Sequence, residues 1–308
     1  MSESLETVAD YLAWGERRLD QAGLHYGHGT DNPRDEAVWL VCHALGWPPM
    51  LDHGHLAHRV TEAEAQAIGH LIEQRIGCRQ PAAYLTRTAW FAGLCFEAGP
   101  QALVPRSPIA ELIVSGWVAE RLPPQPRILD LCTGGGSIGI AAAVYCDDAR
   151  VVASDLSADA LALARRNVAQ HQVADRVTLV ESDLFDRIQG TFDLILTNPP
   201  YVGRVEMDQL PAEYRHEPAA GLASGADGLD IPLRILASAV DYLNENGRLV
   251  LEVGNSARAL EHLFPSISFL WLSFEHGGHG VLEMEYSDLV CWTPEFRRES
   301  AKRLKDVQ

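Results

Sequence analysis

The chain has 308 residues, 47% hydrophobic and 22% charged, enough for roughly two globular domains and a sizeable core. Its 25 lysines and arginines stand against 42 aspartates and glutamates, and the formal charge of −17 makes a nucleic-acid backbone an unfavourable partner for the surface as a whole and a basic protein a favourable one. The amino terminus, Met1-Ser2-Glu3-Ser4-Leu5-Glu6, has neither a basic nor an apolar leader region and no run reaches a membrane span, so the expected location is the cytoplasm. Cys42, Cys78, Cys95, Cys132, Cys146 and Cys291 form no metal-ligand spacing and are expected to be small buried residues in a reducing compartment.

From Leu5 to about Gln80 the apolar residues recur at helical spacing. Leu5, Val8, Leu12 and Leu19 share one face of a first helix ending near Gly23, and Asp35 to Leu45 reads as a second. Thr61-Glu62-Ala63-Glu64 is a capping box, opening a third helix with Ile68, Leu71, Ile72 and Ile76 on its inner face. His53, His55 and His58 lie between these helices with no cysteine or carboxylate at ligand spacing, which predicts a solvated loop. Between residues 81 and 108, Trp90–Phe96 and Ala102–Val104 read as a β-hairpin joined by a Gly-Pro turn. Arg106, between Pro105 and Pro108, is either a fixed linker residue or, as we favour, one that faces the site.

Ile109 to Leu122 then reads as a helix, and beyond Pro126 strand and helix alternate. Strands are expected at residues 127–132, 151–154, 177–180, 192–197, 248–253, 269–274 and 281–286, and helices at 137–146, 157–172, 230–246 and 256–263. Such alternation with right-handed crossovers implies a doubly wound, mostly parallel α/β sheet that binds ligands beyond the carboxyl ends of its strands. Pro211 to Gly228 is either a mobile cover over a bound target or an ordinary long crossover. Thr293 to Gln308, with Arg297, Arg298, Lys302, Arg303 and Lys305 among acids, reads as a solvated, partly frayed helix.

Three acids fall at successive strand ends. Asp130 leads into Leu131-Cys132-Thr133-Gly134-Gly135-Gly136-Ser137-Ile138-Gly139, where Gly134, Gly136 and Gly139 satisfy G-x-G-x-x-G. An acid before the first glycine repels a pyrophosphate and suits a cationic amino-acid group. Asp155 ends the next strand, where a carboxylate accepts ribose hydroxyls, and Asp183 ends the third, where an acceptor beside Leu184 and Phe185 suits an adenine. Each acid alone is more simply a cap or turn residue; together they describe a pocket for S-adenosylmethionine.

Phe192 to Thr197 is a nearly continuous apolar run, the pattern of a strand buried on both faces, and it stops at Asn198-Pro199-Pro200-Tyr201. The two prolines cannot continue a ladder, and Pro200 holds Pro199 extended. This is either a proline-rich turn or a grip for a planar amide or amino group, with Asn198 and the Pro199 carbonyl accepting its two N–H bonds and Tyr201 packing on its face.

The Asp-Leu-Cys-Thr-Gly-Gly-Gly loop, Ser154-Asp155, Ser182-Asp183 and Asn198-Pro199-Pro200-Tyr201 resemble class I methyltransferases of the HemK/PrmB kind, which methylate the side-chain amide of glutamine in proteins. The resemblance extends to the helical module, the hairpin and the segment Tyr214 to Asp230, so it spans nearly the whole chain. It implies a substrate-recognition domain at residues 1–80, a hairpin linker at 81–108, a methyltransferase domain at 109–292 and a tail at 293–308. Asp130, Cys132, Thr133, Gly134, Gly135, Gly136, Asp155, Asp183, Leu184 and Asn198 would hold the cofactor, and Asn198, Pro199, Pro200 and Tyr201 the substrate amide. Pro105-Arg106-Ser107-Pro108-Ile109-Ala110-Glu111 and Gly27-His28-Gly29-Thr30-Asp31-Asn32 are similar to the branch acting on the third protein of the ribosomal large subunit, a basic partner, rather than the branch acting on peptide-release factors. Gly135 stands where the family often has serine or threonine, and Leu184 where some relatives have an aromatic. The competing readings are an adenine or cytosine amino-methyltransferase, against which the acidic surface counts, and a non-catalytic nucleoside-binding module, which has no use for the Asn198 loop.

Overall fold

A computed structural model describes residues 5–306; the first four residues of the expected helical module and the last two of the tail lie outside the described residues. The chain forms two compact units. The first comprises the described residues through Ala89, with Ala98–Pro100 and Pro211–His216. It is built from α1 (Val8–Gln21), α2 (Pro33–Leu45), α3 (His53–Leu56), α4 (Glu62–Cys78) and α5 (Ala82–Thr86). Thr7 and Thr61 open α1 and α4 as capping boxes with Asp10 and Glu64, and Asn32 followed by Pro33 opens α2, which ends on Gly46 in the left-handed region. Val8, Leu19, Leu40, Ile68 and Ile72 are fully buried between these helices, each stabilising the unit by roughly 1.5–3 kcal/mol. The Arg75 guanidinium is buried with them, 2.7 Å from Glu36 and 3.7 Å from Glu213, while Arg79 reaches Glu213 at 2.7 Å.

The chain enters the second unit within the hairpin β1 (Thr88–Phe91) and β2 (Leu94–Glu97). There follow α6 (Ile109–Val114), α7 (Trp117–Glu120), β3 (Arg127–Leu131), α8 (Ser137–Tyr145), β4 (Arg150–Asp155), α9 (Ala158–Gln170), β5 (Val177–Glu181), β6 (Phe192–Thr197), α10 (Arg204–Gln209), α11 (Asp230–Ser238), β7 (Leu243–Glu252), α12 (Ala257–Leu263), β8 (Leu270–Trp271), β9 (Val281–Glu285) and α13 (Tyr286–Asp306). The sheet order is β5-β4-β3-β6-β7-β9-β8, parallel through β7, with β9 antiparallel to β7 and to β8. Alternate residues feed two cores: Ile128, Leu194 and Leu196 face one, Leu129, Ile195 and Leu251 the other. The strand order reverses between β3 and β6, where Leu131 pairs with Thr197, so the glycine loop and the Asn198 loop leave adjacent strands at the switch point.

Several expectations fail for identifiable reasons. The hairpin turns at Ala92 and Gly93, both at positive φ (51° and 73°), a two-residue turn whose twist matches the strands, so residues 102–104 are not its second strand. The helix expected to reach Leu122 breaks at Gly116, φ 84°, into α6 and α7. The one expected over 230–246 stops at Ser238, because Leu243 pairs with Phe192 and draws 243–252 into the sheet. His53 and His55 sit in the short helix α3, capped by Asp52, rather than in a loop. Cys42 and Cys146 are buried as expected, but Cys78 and Cys291 are exposed. The tail is a packed element, not a solvated one: α13 buries Leu289 and Phe296, stacks Phe296 edge-on to Phe264 at 5.0 Å, and pairs Arg303 with Asp227 at 2.7 Å and Asp230 at 3.1 Å.

Candidate active site

Asp130, the penultimate residue of β3, is fully buried. Its Oδ2 accepts the Thr133 hydroxyl and the Gly139 N–H, the latter at 2.7 Å, whereas its buried Oδ1 has no hydrogen-bond partner among the described residues. A Cβ at Gly139 would stand 2.9 Å from that carboxylate, so the glycine is what admits the bond. Burial pushes the Asp130 carboxyl up to about 7, against the lowering effect of those two hydrogen bonds and with a smaller upward push from Asp155. Cys132 and Gly134 take positive φ (61° and 55°) to turn the loop, and Gly136 does so at 88° as the N-cap of α8. Burial, reinforced by Asp155 and Asp130, pushes the Cys132 thiol far up, so it stays protonated. Asp155 accepts Gly134 N–H and Ser157 N–H, both at 2.8 Å, and burial raises its pKa also. Asn167 donates to the Gly135 carbonyl at 2.8 Å, which steadies the position where a side chain was expected.

Asp183 is 44% exposed and accepts from Arg234 at 2.9 Å, a partner that the sequence pattern did not supply. Leu184 beside it is buried and at positive φ, 47°. These acids, with the glycine loop, stand at the carboxyl ends of adjacent strands β3, β4 and β5.

Thr197 ends β6 with its hydroxyl on the Leu131 carbonyl at 2.7 Å, tying the two strand ends together. Asn198 is half-buried, and its side-chain amide makes no hydrogen bond to another described residue; Pro199 is buried, and Pro200 and Tyr201 are half-buried. The Tyr201 hydroxyl donates to Glu252 Oε1 at 2.8 Å, and its carbonyl accepts from Ser256 Oγ at 2.8 Å. Ser256 also reaches the Asp227 carbonyl at 2.9 Å, and Val202 bonds to Leu222 and Ser224, so the loop is bound to the segment that follows it. Arg106 makes a two-pronged pair with Glu217, at 2.7 and 2.8 Å, which holds the Pro-Arg-Ser-Pro segment. The next residue, Ser107, donates to Glu252 Oε2 at 2.5 Å. Sequence reasoning missed Glu252, Ser107, Glu217 and Arg234. For Glu252 a signal existed: it is an acid closing the apolar run Leu249-Val250-Leu251, as Asp130 closes its own.

An open, mostly parallel sheet with a buried acid and glycine turn on one side of its switch point and Asn-Pro-Pro-Tyr on the other defines a class I methyltransferase. The chain matches the family model Methyltransferase small domain over residues 113–214 and PrmC N-terminal domain over residues 10–86. It is 42% identical, over 96% of its length and 95% of the relative's, to the ribosomal protein uL3 glutamine methyltransferase of Francisella tularensis subsp. tularensis. It is 45% identical, over 94% of each chain, to that of Xanthomonas campestris pv. campestris. The chain belongs to the ribosomal protein uL3 glutamine methyltransferase family. Among solved structures a methyltransferase from Pyrococcus furiosus is similar over 63% of this chain and 89% of its own, with TM-score 0.46 and 21% identity.

Proposed function

We propose that this chain transfers a methyl group from S-adenosylmethionine to the side-chain amide nitrogen of one glutamine in ribosomal protein uL3, and that it does so in the cytoplasm. The observation that carries the reading is the half-buried Asn198 amide, without a hydrogen-bond partner among the described residues, on the strand next to the Asp130 loop. Family membership at 42–45% identity supports the same substrate. No helix among the described residues is long and apolar enough to cross a membrane.

The residues present fit the cofactor. The partnerless Asp130 Oδ1 suits an ammonium, Asp155 at the end of β4 suits a ribose, and Gly134, Gly135 and Gly136 with Cys132 and Thr133 bring bare backbone to the pocket. Asp183 and Leu184 are assigned to the adenine side, with Arg234 orienting the carboxylate of Asp183. When bound, S-adenosylmethionine supplies an electrophilic methyl group on a sulfonium.

An amide nitrogen is a poor nucleophile because its lone pair is delocalised. Asn198 Oδ1 and the Pro199 carbonyl accept the two N–H bonds of the glutamine amide, restrain its rotation and stabilise the positive charge that develops on nitrogen. Tyr201 packs on the amide face, and Pro200 keeps the Pro199 carbonyl pointing outward. No strong base is required before transfer, since the amide proton becomes acidic only afterwards. The surface charge of −17 favours encounter with a basic ribosomal protein. Mass spectrometry of uL3 from cells with and without the enzyme tests the proposal: one glutamine should gain a single methyl group only when the enzyme is present, and an unmodified uL3 would sink it.

A further inference from the structure

Glu252 is the buried acid at this site that the proposed transfer leaves without a task. It closes β7, is 5% exposed, and binds two hydroxyls from remote parts of the chain: Tyr201 at 2.8 Å and Ser107 at 2.5 Å. The Ser107 oxygen already accepts the Ile109 N–H at 3.2 Å, which directs the Ser107 proton onto the carboxyl. The Tyr201 ring lies against bare backbone, for a Cβ at Gly254, φ 46°, would stand 2.5 Å from its Cε2. Its carbonyl is held by Ser256. A phenol ring has two rotatable side-chain bonds; with the ring wall at Gly254, the hydroxyl on Glu252 and the backbone on Ser256, both are determined.

We infer that Glu252 is a positioning residue for the methyl transfer: it holds the Tyr201 hydroxyl, is itself held by Ser107 of the Pro-Arg-Ser-Pro segment, and so sets the ring that packs on the substrate amide. The inference rests on the proposed function of the Asn198 loop. It gives Pro-Arg-Ser-Pro a place in the chemistry through Ser107, while Arg106 serves by anchoring that segment on Glu217. Removing the acid frees the ring to turn away from the amide, and misplacement of a reacting group by about 1 Å costs on the order of 100-fold in rate.

The test uses the full chain, recombinant uL3 and S-adenosylmethionine, and reads kcat, the KM for each substrate, and the Kd for S-adenosylhomocysteine. Tyr201→Phe and Glu252→Ala are each expected to lower kcat about 100-fold. The demethylated cofactor should still bind within about twofold of wild type, because neither residue lines the Asp130 loop. The double variant should be no slower than the slower single, since both remove one interaction. Glu252→Gln, which keeps an acceptor for the tyrosine hydroxyl, should recover kcat to within about tenfold of wild type. A purely structural acid would lower the melting temperature and leave kcat of the folded fraction intact. That result overturns the inference, as does wild-type kcat in Tyr201→Phe or a double loss equal to the product of the singles. If Glu252→Ala does not fold, Tyr201→Phe and Glu252→Gln decide by the same readings. Failure of the wild-type enzyme to methylate uL3 is a separate outcome that strikes the parent reading.

Discussion

In the helical unit Glu36 and Glu213 are buried against the guanidinium groups of Arg75 and Arg79, whereas at the strand ends of the sheet unit Asp130, Asp155 and Glu252 receive their hydrogen bonds from hydroxyls and backbone N–H groups. Removing either partner of a buried carboxylate–cation pair leaves a charge that the interior cannot solvate. Burial pushes the carboxyls of Asp130, Asp155 and Glu252 up, and it does the same at Glu36 despite Arg75, whereas Glu213, bonded also to the His25 N–H and facing Arg79 and Arg75, is held below the ordinary value. At Asp130, whose Oδ1 has no partner among the described residues, a cationic ligand would relieve the cost of that burial. The cation pairs bind one part of the helical unit to another, whereas Tyr201 and Ser107 on Glu252 and the Gly139 N–H on Asp130 tie the strand ends to the loops of the proposed site.

The contrast is broken most directly at Arg75. Arg75→Ala should cost about 3–5 kcal/mol of unfolding free energy, read from the denaturation midpoint, because Glu36 is left buried without its cation, although Glu213 keeps Arg79. An unchanged midpoint would erase the distinction between the two kinds of acid. Asn198→Ala should act the opposite way, raising the barrier by roughly 2.7–4 kcal/mol with cofactor affinity largely spared, by analogy with loss of an oxyanion-hole donor. A near-normal single-turnover rate in that variant refutes the assigned role.

Asp130 sharpens the comparison through pH. Its folded pKa is raised from 3.8 to about 7, so its contribution to stability is fully present below the lower value and is lost as pH rises through the higher. Apo stability should therefore fall across that window, while cofactor affinity should rise about tenfold per pH unit up to the folded pKa, where the carboxylate proposed to receive the ammonium is formed. Calorimetric titrations of wild type and Asp130→Asn check both signs; the variant should bind weakly and show neither slope. The smallest effect belongs to Arg303, one-fifth exposed and paired with Asp227, whose carboxyl it holds below the ordinary value. Arg303→Ala should cost about 1 kcal/mol in a melting experiment, since solvent screens part of the pair. A loss as large as that of Arg75→Ala would show that exposure does not separate the pairs.

The sequence by itself determined the features whose signals are short. Apolar runs ended by Asp130, Asp155 and Asn198, a glycine turn after the first, and the capping box at Thr61 are complete within a few residues, because strand ends, tight turns and helix starts are governed by local sterics and hydrogen bonds. Tertiary structure alone decided the rest. Ser107 and Glu252 stand 145 residues apart, Arg106 and Glu217 111 apart, and no periodicity marks such partners. The helix expected through Asn246 yielded at Ser238 to pairing with Phe192, and the expected frayed tail became a packed helix because Phe296 found Phe264 and Arg303 found Asp227. Propensity is worth tenths of a kcal/mol per residue, whereas burying one large apolar side chain is worth roughly 1.5–3 kcal/mol, so where the two compete the distant partner prevails.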